Sequence, residues 1–221
     1  MTIKKMVFSC LSIYIFFFLI NSIWAQDNNE LTEISNANEL YHEKNYVAAA
    51  KIFKNLITEG HINGYLYYNL GNTLKKLSQL DAAVKCYEKT LTIKPDYAEA
   101  HNNLGNTLKE LGQLDAAIKC YEKTVAIKPD FAEAYSNHGG AMKRLKQPDK
   151  ALVSYERAIT LKPDINFLLG SLIHTKMHLC IWDDLPNDLN ELTKKINNSD
   201  NVTHPLYLLG LIDDPEIQRK T

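Results

Sequence analysis

The chain has 221 residues, 45% of them hydrophobic and 23% charged, a globular balance that suits one ordinary domain or a short repeat array. Its formal net charge is −1 and it contains no basic block, so it offers nucleic acid no electrostatic attraction. With 9 glycines, 7 prolines and four scattered cysteines without a Cys-x-x-Cys pair, the sequence argues against many short strands, a disulfide framework or a zinc ribbon.

The first segment has the features of an export signal. The basic pair Lys4-Lys5 precedes the apolar run Met6–Ile20, and the small residue Ala25 precedes a polar stretch. This order is typical of a signal peptide, here residues 1–25, followed by a linker at 26–29. We therefore expect a periplasmic or secreted protein after cleavage. The segment is also about long enough to span a bilayer, so an uncleaved membrane anchor is the alternative.

An internal repeat follows this segment. Asn69–Lys75 recurs as Asn103–Lys109 at an offset of 34 residues, and Asp81–Lys89 returns as Asp115–Lys123. Weaker copies stand before and after these two. The four predicted copies are residues 30–63, 64–97, 98–131 and 132–165.

The period and the alternation of small and large residues resemble the tetratricopeptide repeat. The resemblance implies two antiparallel helices per copy and an all-α fold, a right-handed solenoid with a concave surface. It predicts eight helices between about Leu31 and Leu161, with two more before Asn201.

Small residues predict where the two helices of a copy touch. Gly71 on the first helix and Ala83 on the second are small enough to let the helices approach closely, and Gly105 repeats the position of Gly71. Larger side chains are expected to fill the surrounding space: Tyr67, Leu70, Leu74 and Tyr87.

Turn chemistry predicts the helix boundaries. Pro95 lacks an N–H and should stop the second helix. Asp96, with Glu99 three residues on, has the spacing of a capping box, and Asp130 and Glu133 repeat it. The first copy departs from the pattern, with Ala37 at the glycine position, His61 at the proline position and Ser35 at the place of Asn69.

The tail, residues 166–221, loses the period. Its segments are a helix at 167–177, Cys180–Asp184, a helix at 185–197, His204–Leu209 and Asp213–Lys220. This order resembles the connector of bacterial SPINDLY-type O-linked N-acetylglucosamine transferases, which joins the repeats to a catalytic half. The sequence contains neither nucleotide-sugar-binding α/β lobe of that family, so we expect no enzymatic activity from it.

Recurrent asparagines are the main candidate binding residues. An amide both donates and accepts hydrogen bonds, so it can pair with a peptide backbone of any sequence. The resemblance implies an asparagine ladder that holds extended polypeptide. The matching positions are Asn69, Asn72, Asn103, Asn106 and Asn137. Solvated polar residues, or hydrogen bonds between neighbouring helices, are the alternative interpretation.

Other candidates are weaker. Lysines at one repeat position could favour acidic partners or could be a solvated face: Lys75, Lys109 and Lys143. His174 and His178, four apart and near Cys180, could supply half a metal site, but without a further ligand we predict no metal and no cofactor. No spacing singles out a catalytic set.

The sequence therefore predicts a scaffold that binds extended segments of protein or peptide partners. It predicts no nucleic-acid partner. It predicts contact with a membrane only through the N-terminal segment, and only if that segment is not cleaved. The alternative function is the substrate-binding arm of a truncated or split protein O-linked N-acetylglucosamine transferase.

Overall fold

The structure is a computed structural model that describes residues 30–198, where every regular element is a helix. The helices in this range are α1 (30–42), α2 (Tyr46–Thr58), α3 (Gly64–Lys76), α4 (Leu80–Ile93), α5 (Ala98–Glu110), α6 (Leu114–Ile127), α7 (Ala132–Arg144), α8 (Pro148–Leu161), α9 (Leu168–His178) and α10 (Leu185–Asn197). The predicted all-α class, with eight helices followed by two more, is confirmed.

Prolines end the second helix of three copies, as predicted. α4, α6 and α8 each end shortly before a proline, which cannot donate the next helical hydrogen bond: Pro95, Pro129 and Pro163. In the first copy His61 stands at this position instead, and its Nδ1 lies 2.8 Å from Oε2 of Glu30. In the first copy, the residue at the proline position therefore makes a side-chain contact with α1.

The described chain forms two compact units, and the boundary between them falls within α4, after Cys86. In the first unit, α2 packs against α3, and Phe53, Leu56 and Leu66 are buried in the core. In the second unit, each helix from α5 to α10 packs against the next. Antiparallel pairs of this kind bury apolar stripes that a single helix would expose to water.

Glycines on the first helices make room for tyrosine rings. A Cβ atom on Gly105 would lie 2.7 Å from Cε1 of Tyr121, and one on Gly139 would lie 2.7 Å from Cε1 of Tyr155. Tyr121 is completely buried and Tyr155 nearly so. The predicted close contact at Gly105 is confirmed, and the group that requires the glycine is the tyrosine ring.

The turn within each copy has a left-handed backbone conformation at the same repeat position. Lys44, Ser78, Gly112 and Lys146 share one repeat position and have φ values of 65°, 58°, 79° and 58°. Glycine adopts this conformation without the steric cost that a Cβ atom imposes. The three copies with Lys44, Ser78 or Lys146 at this position therefore carry that steric cost, and the copy with Gly112 does not.

The predicted capping boxes are wrong. α5 and α7 begin after Tyr97 and Phe131, neither of which makes a side-chain capping bond, so Asp96 and Asp130 lie one residue too early. Glu99 and Glu133, the expected partners in the boxes, instead accept hydrogen bonds from lysines that follow the second helix of the same copy. Those bonds are Lys128 Nζ to Glu99 Oε1, 3.4 Å, and Lys162 Nζ to Glu133 Oε1, 2.9 Å.

The connector helices close the second unit with their own apolar cluster. Leu169 and Ile173 of α9 pack with Leu192 and Ile196 of α10, and all four are buried. Lys176 Nζ also donates to Asp188 Oδ2 at 2.8 Å, which joins the same two helices. The two helices predicted in the tail are therefore packed against each other.

Within residues 30–198, no helix combines the length and apolarity that crossing a bilayer requires. The predicted signal peptide or anchor at 1–25, the linker at 26–29, and the tail segments His204–Leu209 and Asp213–Lys220 lie outside the described residues.

Candidate functional site

The predicted binding residues lie on the first helix of their copies. In the first unit α3 carries Asn69, Asn72 and Lys75. In the second unit α5 and α7 carry Asn103, Asn106, Lys109, Asn137 and Lys143. All eight side chains are half-buried, so they are partly accessible to a partner.

The second unit joins its asparagines into a hydrogen-bonded chain. Asn137 Nδ2 donates to Asn102 Oδ1 at 3.2 Å, and Lys109 Nζ donates to Asn137 Oδ1 at 3.2 Å. Asn102 Nδ2 donates in turn to Asn103 Oδ1 at 3.4 Å. The amides therefore tie α5 to α7, which was the alternative interpretation of their recurrence.

Asn102 is a member of this network that the repeat pattern did not indicate. It is almost fully buried, with 7% of its surface exposed, so its amide needs hydrogen-bond partners within the protein. Tyr68 and Ser136 occupy the same position in the neighbouring copies. Because the equivalent residues are not asparagines, the repeat could not reveal Asn102. The signal that the sequence did contain was a polar residue on the buried face of its helix.

Asn106 bonds within its own copy. The hydroxyl of Tyr121 donates to Asn106 Oδ1 at 2.8 Å, and burial raises the pKa of that hydroxyl well above its ordinary value, so it stays protonated. This bond holds the oxygen end of the amide against Tyr121. The amide nitrogen, with its two donors, is the end left for another acceptor.

The first unit has a smaller polar cluster between α1 and α3. Asn38 Nδ2 donates to the Tyr65 hydroxyl at 3.1 Å, and Asn69 Nδ2 approaches Asn38 Oδ1 at 3.5 Å. These residues line a cleft of about 260 Å³ with Tyr41 and Asn72 among the other walls. Asn38 has the repeat position of Asn72 and Asn106, so the 34-residue frame could have found it.

The lysine position differs between copies. Lys109 lies over the Tyr121 ring, with Nζ 5.9 Å from the centroid, and its carbonyl accepts a 2.8 Å hydrogen bond from Arg144 Nη1. The first copy has Tyr41 at this position, where burial, then Tyr46 and Tyr68, raises the pKa of the phenol. The candidate face of the first copy is therefore aromatic, while later copies carry an ammonium group.

The two tail histidines contact each other. The rings of His174 and His178 have centroids 4.5 Å apart. Among residues 30–198, no group of three or more His, Cys, Asp or Glu side chains is placed to hold a metal ion.

Family models identify the repeats. A model of the TPR repeat matches residues 71–112, and two models of the tetratricopeptide repeat match residues 98–131 and 132–165. Residues 71–165 therefore consist of tetratricopeptide repeats.

Solved structures show the same fold. MamA from Desulfovibrio magneticus RS-1 is 19% identical with a TM-score of 0.69, and covers 77% of this chain and 97% of its own. A second MamA structure is 20% identical, with a TM-score of 0.68 over 73% of this chain and 95% of that one. YrrB, a TPR protein with an unusual peptide-binding site, is 27% identical, with a TM-score of 0.57 over 64% of this chain and 71% of that one. No curated protein sequence matches the chain significantly.

Proposed function

We propose that this protein is a non-enzymatic scaffold that binds extended segments of partner proteins, with the asparagine-bearing face of α5 and α7 in the second unit and that of α3 in the first unit each contributing contacts. The observation that carries the proposal is the orientation of Asn106. Its oxygen is held by Tyr121, so its N–H donors can meet a backbone carbonyl of a partner without reorienting the amide. Pre-orientation of this kind reduces the entropy that binding must overcome.

The amide network of the second unit is compatible with a ligand. In the described part of the chain, Asn137 uses one N–H toward Asn102 and one lone pair toward Lys109. An amide has two N–H donors and two lone pairs, so one of each remains for a partner. Because a peptide bond offers the complementary donor and acceptor in every residue, such contacts tolerate many sequences.

The structural neighbours favour the same class of function. YrrB is a TPR protein with an unusual peptide-binding site, and it shares the helical repeat fold with this chain. A half-buried polar face on the packed helices of the second unit suits an extended peptide, since main-chain groups of the peptide replace the water lost from the amides.

The test removes three amides at one repeat position. The chain with Asn69→Ala, Asn103→Ala and Asn137→Ala is compared with wild type for binding to an immobilised library of unstructured peptides. Each amide–backbone hydrogen bond contributes about 0.5–1.5 kcal/mol, so we expect binding to weaken by roughly one to three orders of magnitude. The loss should be similar for peptides of unrelated sequence.

A matched control removes three exposed amides elsewhere, with Asn55→Ala, Asn187→Ala and Asn190→Ala. Melting curves accompany both variants, because Asn137 also ties α5 to α7. Full-strength binding by a folded Asn69/Asn103/Asn137 variant would eliminate the asparagine face as the site. Equal losses in both variants would do the same.

A second candidate is the substrate-holding arm of a protein O-linked N-acetylglucosamine transferase. The tail favours this candidate because α9, the turn containing Cys180–Asp184 and α10 follow one another in the chain. The connector that the tail resembles has the same order of segments. The chain would then form a complex with a separate catalytic half and increase the glycosylation of a captured partner. Co-purification from the native source without any glycosyltransferase would count against this candidate.

We further propose that the chain is exported and cleaved after Ala25. The support is the basic, apolar and small-residue order of the first segment. Mass spectrometry of the protein from its native source should find Gln26 as the first residue. An intact N-terminus in the membrane fraction would indicate an anchor instead.

A further inference from the structure

The cleft that α1 and α3 form in the first unit has aromatic walls. Tyr41, His42, Phe53 and Tyr65 line it beside three asparagines. The Tyr41 ring meets the rings of His42 and Tyr46 edge to face, with centroids 5.9 Å and 5.3 Å apart, which orients it. The volume of about 260 Å³ is below the roughly 300–1,000 Å³ of small-molecule sites, so the cleft suits a short stretch of a longer chain.

Aromatic residues replace charged ones at three positions of this cleft. Tyr41, His42 and Tyr65 occupy repeat positions at which every later copy has a charged side chain. Among the walls that the structure describes, none is Asp, Glu, Lys or Arg, so the cleft favours a neutral segment over an ion. The charged equivalents are Lys75, Lys109 and Lys143 for Tyr41, Lys76, Glu110 and Arg144 for His42, and Glu99 and Glu133 for Tyr65.

The polar groups of the cleft form a hydrogen-bonded chain that ends in a donor. Asn69 Nδ2 approaches Asn38 Oδ1 at 3.5 Å, and Asn38 Nδ2 donates to the Tyr65 hydroxyl oxygen at 3.1 Å. The Tyr65 hydroxyl is the acceptor in this bond, so its own O–H can donate to a group of a partner. Tyr65 is 48% exposed, which puts that donor within reach of an incoming chain.

We propose that this cleft binds a proline-containing stretch of the partner polypeptide in the polyproline II conformation. The proposal rests on the function proposed above, since Asn69 belongs both to the cleft and to the asparagine-bearing face of α3. A proline residue offers the Tyr65 O–H a carbonyl acceptor, and it has no N–H that the aromatic walls would leave unpaired. Its apolar ring fits an aromatic wall, and polyproline II needs no internal hydrogen bonds, so the segment is ordered before it binds.

The experiment uses the full chain and three short capped peptides. The first repeats Ala-Pro-Ser three times, the second has Ala in place of each Pro, and the third has Leu there. We expect the proline peptide to bind about tenfold more tightly than the alanine peptide, because each proline lowers the entropy of the free chain. A leucine peptide that binds as tightly as the proline peptide would indicate general apolar attraction and would overturn the proposal.

The main variant gives the cleft the charges of the later copies. Tyr41→Lys with Tyr65→Glu introduces the residues that those copies have at the same positions. Lysine in the last turn of α1 and glutamate in the first turn of α3 suit the helix dipoles, so we expect the variant to fold. It should abolish the preference for the proline peptide, because ionised groups keep their water and exclude an apolar ring. A preference that survives in the folded variant would contradict the proposal.

A second variant and a matched control complete the test. Tyr65→Phe keeps the ring and removes the O–H, so the proline peptide should bind about two- to tenfold more weakly, the loss of one hydrogen bond. The control is Phe167→Lys with Trp182→Glu, the same pair of charges at aromatic residues of similar exposure outside the cleft, 46% and 49%. Unchanged affinity in Tyr65→Phe, or loss of the preference in the control, would overturn the proposal.

The two proposals fail in different ways. If the proline and alanine peptides bind equally to wild type, and both weaken in the Asn69/Asn103/Asn137 variant, the cleft proposal falls and the peptide-binding function stands. If neither peptide binds, the cleft proposal falls, and the peptide library decides the function independently.

Discussion

Two adjacent glycines on α7 have opposite surroundings. A Cβ atom on Gly139 would lie 2.7 Å from Cε1 and 2.8 Å from Cδ1 of Tyr155, whereas one on Gly140 would have its nearest contact with the Tyr155 hydroxyl oxygen at 3.8 Å. Tyr155 is buried, so its ring has little room to move. One glycine is therefore required by packing, and its neighbour is not.

We expect alanine to act in opposite directions at these two sites. Gly139→Ala should lower the free energy of unfolding by about 1–3 kcal/mol, because the new methyl group overlaps the Tyr155 ring. Gly140→Ala should raise it by up to about 1 kcal/mol, the helix-propensity gain of alanine over glycine. Urea unfolding of both variants provides the measurement, and shifts of the same sign would show that the contact is misassigned.

The left-handed turn position allows a reciprocal exchange between copies. Ser78 and Gly112 are equivalent residues with φ values of 58° and 79°. Ser78→Gly should raise the free energy of unfolding by about 1 kcal/mol or less, and Gly112→Ser should lower it by a similar amount. Thermal melts of the two single variants test this. A destabilised Ser78→Gly variant would mean that the serine side chain matters more than its backbone.

At the scale of the secondary-structure element, α9 carries a pH-sensitive residue. The pKa of His174 falls from 6.5 to about 4 through burial, Lys143 and His178, so the folded chain favours neutral imidazole. The unfolded chain takes up the proton first as pH falls. The stability that this histidine contributes is therefore present above pH 6.5 and is lost as pH falls toward 4.

Replacing this histidine should flatten the acid dependence. His174→Gln cannot gain a proton, so its stability should fall less than that of wild type across the same pH range. His138 keeps part of the acid sensitivity in both proteins, since burial lowers its pKa as well. The measurement is the denaturant midpoint of unfolding of wild type and of His174→Gln at several pH values from neutral to acidic. Parallel curves for the two proteins would contradict the assignment of His174.

At the scale of the whole molecule, the three cysteines among the described residues form no disulfide, and they differ in environment. Burial raises the pKa of Cys86 and of Cys120 to about 11, while Cys180 is exposed on the turn between α9 and α10. The thiolate is the reactive form, so iodoacetamide at neutral pH should modify Cys180 first. Peptide mapping after partial alkylation measures the order, and faster labelling of Cys86 or Cys120 would contradict it.

The sequence predicted the helices well because their signals are local and repeated. The period places each proline just after a second helix, and the small residue at Gly105 anticipates its contact with Tyr121. The capping boxes at Asp96 and Asp130 failed because helix starts depend on backbone geometry, which moved each start one residue later.

The sequence predicted where the candidate residues lie on the helices, and their role in binding stays a prediction. The 34-residue period indicated Asn103, Asn106 and Asn137, because equivalent residues occupy equivalent places on the first helix of each copy. It could not predict which amides bond to each other, because rotamers and the distance from α5 to α7 decide that. Asn102 was missed because neighbouring copies do not repeat it as asparagine.

The network that joins α5 to α7 also governs how such an array could lengthen. Asn102 and Lys109 belong to one copy. Asn137, which donates to Asn102 and accepts from Lys109, belongs to the next copy at the position of Asn103. The copy at 98–131 therefore carries both halves of the junction, because Asn103 stands at the position of Asn137. A tandem duplication of 98–131 would place Asn103 of the added copy where Asn137 now follows Asn102 and Lys109. One recombination event could therefore lengthen the array by a whole copy and keep this amide junction.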